Sequence, residues 1–122
     1  MKVSDLQGAA LDWAVAKCEG RELHRSKSGR WMTANYGGFN PRHGAPWYEP
    51  STDWAQGGPI IEREGINLDN YAKSPQWSAW TPAPERKSGE AQAYGPTPLI
   101  AAMRCYVASK LSNDIEVPKE LI

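Results

Sequence analysis

The stretch Pro50 to Leu68, PSTDWAQGGPIIEREGINL, reads as a helix that runs at once into a strand. Ser51 or Thr52 is placed to cap the helix, because a hydroxyl ahead of the first turn accepts from backbone N–H groups that lack a partner there. Asp53 would then stand in the first turn, where a carboxylate opposes the positive helix end. Trp54 and Ile61 lie seven residues apart and are expected to share a face. Gly65 suits the left-handed position that closes a helix, and Ile66-Asn67-Leu68 alternates like a strand. Pro59 lacks an N–H, so it either kinks this helix or starts a second one after Gly57-Gly58.

On the N-terminal side, Ser4-x-x-Gln7 has capping-box spacing and predicts a helix that Gly20 ends. Leu6, Ala9, Ala10, Trp13 and Ala16 form one apolar stripe, widened by Leu11, Val15 and Cys18. Asp5, Gly8, Asp12 and Glu19 are left for a wet face. So broad a stripe is expected against a sheet, with Trp13 in the core. On the C-terminal side, Trp77-Ser78-Ala79-Trp80 alternates as a strand that Thr81-Pro82-Ala83-Pro84 closes. Residues 85–95, ERKSGEAQAYG, read as a polar hairpin tip or loop. Thr97 caps a last helix with Pro98 in its first turn and Ser112-Asn113 at its end. Glu62 and Glu64 beside Arg63 read as a solvated face. These elements predict a single α+β domain over 1–122, with a small three- or four-stranded sheet sandwiched by about three helices.

Fourteen cations balance fourteen carboxylates, which disfavours long nucleic acid as a partner, since little counterion release is available. No apolar run approaches a membrane span, and Asp5 and Asp12 interrupt what would be a secretory signal, so a cytosolic protein without a membrane partner is expected. Cys18 and Cys105 both fall in helices and read as small buried thiols. Rings are the less ordinary feature: 6 Trp and 5 Tyr against 1 Phe. Nearly every large ring therefore carries a polar handle, which suits half-buried sites and interfaces.

Those rings gather with cations in an irregular passage, residues 21–49. Arg21, Arg25, Lys27, Arg30 and Arg42 face only Glu22 and Glu49 there. Trp31-Met32-Thr33 is a candidate short strand entered through Ser28-Gly29. Guanidinium groups supply paired donors for phosphate oxygens and rings supply a stacking face for a base. The candidate ligand-binding residues are Arg30, Trp31, Tyr36, Arg42, Trp47, Tyr48, Asp53 and Trp54. His24 and His43 have no cysteine or carboxylate at metal-ligand spacing, and no nucleophile-elbow, phosphate-loop or zinc-protease motif occurs. No metal, cofactor or catalytic residue is assigned.

Three blocks carry a family resemblance: Leu11-Asp12-Trp13-Ala14-Val15-Ala16, Ser51-Thr52-Asp53-Trp54-Ala55-Gln56-Gly57-Gly58-Pro59-Ile60-Ile61-Glu62, and Thr97-Pro98-Leu99-Ile100-Ala101-Ala102-Met103-Arg104-Cys105-Tyr106-Val107. Together they resemble the NinX-like family of phage proteins, found beside the recombination and late-regulation genes of lambdoid phages. A looser likeness extends to small phage αβα-sandwich domains. The resemblance implies the same sandwich and no reaction, because that family is of unknown function. The expectation is a non-catalytic phage accessory protein that binds a small anionic ligand such as a nucleotide and so withdraws a host anti-phage defence signal. The alternatives are a module that binds a host protein or self-assembles as a homo-oligomer, and a hydrolase using Asp53 with a histidine.

Overall fold

The computed structural model describes residues 1–25, 30–33, 47–70, 74–82, 90–111 and 114–121. Three helices, α1 (Gly8–Glu19), α2 (Trp54–Glu64) and α3 (Pro98–Lys110), accompany five strands. β1 (Leu23–Arg25) and β2 (Trp31–Thr33) form one antiparallel pair, with Arg25 opposite Trp31. β3 (Asn67–Asp69), β4 (Trp77–Pro82) and β5 (Glu90–Gly95) form an antiparallel sheet in that order. The α+β class and the three-stranded sheet are borne out.

Helix α3 lies at the centre. Thr97 caps it as expected, its Oγ1 accepting from the Ile100 N–H at 3.1 Å, with Pro98 following. Nine of its residues are buried, among them Ala101, Ala102, Met103, Cys105, Tyr106 and Val107. A helix apolar all round must be covered all round. The sheet covers one side through β4 and β5, and α1 and α2 take others. Leu68, Ala79 and Ala93 stand opposite one another across the sheet and turn toward this core.

Several expectations are corrected. Ser4 does not open α1: Val3–Asp5 forms a separate 3-10 turn and α1 begins at Gly8, with no side-chain cap from Gln7. Leu6, fully buried, runs extended between them, and its carbonyl accepts from Arg104 Nε at 2.8 Å instead of continuing a helix. Asp12 is not on a wet face but buried. Asp53, not Ser51 or Thr52, caps α2. Its Oδ1 accepts from the Ala55 N–H at 3.0 Å, while the Ser51 and Thr52 N–H groups bond Asp12 and Glu49 in the preceding turn. Pro59 does not start a second helix, since one helix runs through it. Ala55, whose carbonyl loses its i+4 donor there, is on the exposed side. Trp54 is 55% exposed, and the buried residues of α2 are Gly57 and Ile60.

The polar segment before Gly95 is a strand over Glu90–Gly95, not a loop. Ala91 and Ala93 fill its inward positions, and these small residues hid the alternation. Residues 83–89, the Ser28-Gly29 turn and the Ser112-Asn113 helix end lie outside the described residues.

Gly20 and Gly65 close α1 and α2 as read, with φ of 69° and 66°. The orphan carbonyl of Glu64 accepts from Thr81 Oγ1 at 3.0 Å, so β4 finishes the cap of α2. The C-terminal helix ends also share a polar clamp. Arg63 donates two bonds to Glu19, at 3.1 and 2.7 Å, and a third to Glu64 at 2.9 Å. Glu64 pairs with Lys110, and the Tyr106 hydroxyl donates to Glu19. Glu62, Arg63 and Glu64 are thus no uniform solvated face: Arg63 and Glu64 tie α2 to both other helices. Burial would raise the pKa of Glu19, but the bonds from Arg63 and Tyr106 outweigh it and hold it below the ordinary carboxylate value.

Gly57 is where α2 touches α3 and its own lead-in turn. A Cβ there would collide with Leu99 Cδ2 and come within 2.5 Å of the Pro50 carbonyl oxygen. Backbone cannot yield as a side-chain tip can, so Gly57→Ala is expected to destabilise the fold by about 1–3 kcal/mol. Gly58→Ala, with open space at the same atom, gains helix propensity and is expected to be neutral or stabilising. Paired urea melts of the two variants check this; equal midpoints would contradict the packing account.

Candidate ligand groove between α1 and the first hairpin

The nominated residues separate into distinct environments. Arg30 Nε donates to Glu49 Oε1 at 2.6 Å, and its guanidinium lies 4.3 Å from the Trp47 ring centroid. Gln56 fixes this corner, donating to the Trp47 carbonyl and to Asp53 Oδ2, both at 2.9 Å. Both Asp53 oxygens are therefore engaged in holding the start of α2. Tyr48 is buried, its N–H donates to the Trp31 carbonyl at 2.8 Å, and burial pushes its hydroxyl pKa well up. Trp54 stands alone in the open. Tyr36, Arg42 and His43 lie outside the described residues.

Trp31 lines an open groove. Its Nε1 donates to the Ala9 carbonyl of α1 at 3.0 Å, which seats the hairpin against that helix. Beside it opens a groove of about 400 Å³ lined by Trp13, Lys17, Arg21, His24 and Trp31, among others. Trp13, read as core, is only half-buried. Lys17 stands 5.1 Å from its ring and Arg25 stands 5.0 Å from the Trp31 ring, as the cross-strand register places it. Glu22 is the acid on the groove wall, against the cations Lys17 and Arg21. Sequence reasoning missed Trp13 and Lys17. Their i, i+4 spacing, which puts a ring and a cation on one helix face, was the signal that could have found them.

What the groove can do chemically is stack a planar group and meet an anion. Among the described residues no group of three His, Cys, Asp or Glu side chains converges to hold a metal. The Cys18 thiol is pushed up to about 12 by burial and by Glu19, which works against a thiolate nucleophile. His24 lines the groove and Asp53 does not; His43 lies outside the described residues. Among the described residues no helix is long and apolar enough to cross a membrane.

A family model described as Bacteriophage P22, NinX matches residues 2–110. The chain belongs to the NinX family. No curated protein matches it. For this NinX-family chain the three resembling blocks fall on α1, on α2 with its lead-in, and on α3, the three helices that enclose the core.

Asp12, inside the first of those blocks, holds the lead-in turn to α1: its Oδ1 accepts from the buried Ser51 N–H at 2.9 Å. Burial raises its pKa from the ordinary 3.8 to about 6, with Ser51 pulling down and the Glu49 charge adding to the rise. The native state thus holds this proton more tightly than the unfolded chain. The stability it contributes is full below pH 3.8 and is lost as pH rises through about 6. Asp12→Asn keeps an acceptor without the charge. Relative to wild type it is expected to gain about 1–3 kcal/mol between pH 4 and pH 7.5. Chemical denaturation across that range measures the difference; parallel curves would refute the assignment.

Proposed function

We propose that the protein is a non-catalytic phage accessory protein whose α1–hairpin groove binds a small anionic ligand, with a nucleotide as the ligand class that fits its chemistry. The supporting observation is the juxtaposition of Trp13 and Trp31 with Lys17, Arg21 and His24 around one open groove. Two indole faces suit a base, and two or three cations suffice for a phosphate or two. In the host cytoplasm such binding would withdraw a nucleotide signal from anti-phage defence.

The test is thermal unfolding with mono-, di- and cyclic nucleotides, on wild type and on the double variant Lys17→Glu/Arg21→Glu. A ligand at a hundredfold excess over its Kd stabilises the fold by roughly 2.7 kcal/mol, a rise of several degrees in Tm. That rise is expected in wild type and absent in the variant. No rise with any nucleotide at millimolar concentration would sink the proposal.

A second reading, a module that binds a host protein or a second copy of itself, is favoured by Trp54. An indole 55% exposed beside a helix cap is the residue type found at interface centres. On this reading Trp54→Ala abolishes self-association in sedimentation, or capture of a host protein, while leaving the nucleotide response unchanged.

A further inference from the structure

A roomier cleft, of about 600 Å³, lies along β5 and shares no residue with the α1–hairpin groove. Its walls include Lys2 and Ser4 from the N-terminal segment, Gln92 and Tyr94 from β5, and Arg104 from α3. β5 is an edge of the sheet, and Gln92 and Tyr94 take its exposed positions; Tyr94 is 52% exposed.

Arg104 is the unusual member. Nε donates to the Leu6 carbonyl at 2.8 Å and Nη1 to the Tyr94 carbonyl at 2.8 Å. These bonds bridge the N-terminal segment to β5 and fix the plane of the guanidinium. Both partners are neutral. Among the described residues no carboxylate lies within ion-pair distance of Arg104, unlike Arg30 and Arg63. Burial lowers its pKa, and the charge of Asp5 offsets that at longer range. Asp114, also on the cleft wall, is paired with the Met1 amino group at 3.1 Å.

A partly buried cation with a fixed plane and no ion pair is pre-organised for an oxyanion. Of the five N–H donors of a guanidinium, the two backbone bonds occupy two. The remaining fork is matched to two oxygens of one anionic group. An incoming oxyanion would add the missing counter-charge without the cost of ordering a flexible side chain. Lys2 supplies a second positive charge, Gln92 both a donor and an acceptor, and Tyr94 an exposed ring face for the body of the ligand.

We infer that the cleft between β5 and the N-terminal segment is a second binding site, one that takes the carboxylate or phosphate group of a small ligand on Arg104 and Lys2. The inference stands apart from the nucleotide reading, since neither groove contributes a residue to the other.

Nuclear magnetic resonance of the full chain tests it, following the Arg104 Nε–H and the Gln92 and Tyr94 amides. Inorganic phosphate and acetate are titrated separately at matched ionic strength. Saturable shifts at these three groups with either probe support the site, and the probe that binds tells whether a phosphoryl or a carboxylate source is recognised. No saturable shift with either at tens of millimolar overturns it. Gln92→Glu, a change at an exposed strand position, sets a like charge beside the bound group and is expected to weaken binding by about tenfold. Unchanged affinity in Gln92→Glu would also overturn the site. Arg104→Gln is expected to lose binding too, but it removes two backbone contacts and is read only alongside Gln92→Glu. The Lys17→Glu/Arg21→Glu variant is expected to leave these shifts in place, so failure of the nucleotide proposal and failure of this one give different spectra.

Discussion

Helix α3 has almost no surface of its own. With nine buried residues between Leu99 and Ser109 it must be met on every side, and its neighbours must come close to meet it. That single demand selects small residues wherever a backbone approaches. Gly57 lies against Leu99, and a Cβ on Gly95 would come within 2.7 Å of the Ala101 nitrogen. Ala79, Ala91 and Ala93 line the face of the sheet that α3 covers. Where backbones approach this closely, tolerance for added volume is low. It also leaves α3 little room for recognition. Arg104, on the side toward the N-terminal segment, is the main polar group it presents to a cleft.

The helix ends solve a different problem. Each of α1, α2 and α3 ends where carbonyls and charges must be met, and the three ends share Glu19, Arg63, Glu64, Tyr106 and Lys110. Isolated surface pairs are worth little. Here the geometry is a bidentate fork, with Arg63 also 5.7 Å from the Tyr106 ring centroid and Glu19 mostly shielded. The clamp ties the C-terminal ends of α1 and α2 to each other and to α3, two residues beyond Lys17 on α1.

Much of this was legible in the sequence, and the failures have a common cause. The glycine ends of α1 and α2, the Thr97-Pro98 start of α3, β2 and β4 follow from local rules, because the groups that decide them lie within a few residues. Ser51, Thr52 and Asp53 are all good caps locally; a long-range bond from the Ser51 N–H to Asp12 and a turn bond from the Thr52 N–H to the Glu49 carbonyl leave the cap to Asp53. Asp12 was assigned to water because a carboxylate on a helix is ordinarily wet. Its burial depends on a backbone N–H thirty-nine residues away, which no periodicity reveals. β5 was lost because its inward residues are alanines, and only the covering helix explains why alanines fit.

The same distinction applies to the ligand residues. Composition picked out the right kinds of side chain in residues 21–49, but not which of them are spoken for. Arg30 is taken up by Glu49 and Trp47, Tyr48 by the core, and Asp53 by its own helix. A cation already paired with a carboxylate must give up that pair before it can hold a phosphate, so its apparent affinity falls by the energy of the pair. Lys17 and Arg21 make no ion pair among the described residues; each instead lies near a ring, Lys17 by Trp13 and Arg21 by Tyr48. A cation held by a ring keeps its full charge and most of its donors. Among the described residues Trp31 is the nominated residue that shares their groove, with its indole N–H spent on α1 and its carbonyl on Tyr48. What fits a ring for recognition here is the anchoring of its polar atoms, which fixes the plane of the ring on the groove wall, with Arg25 held near it to meet an anion.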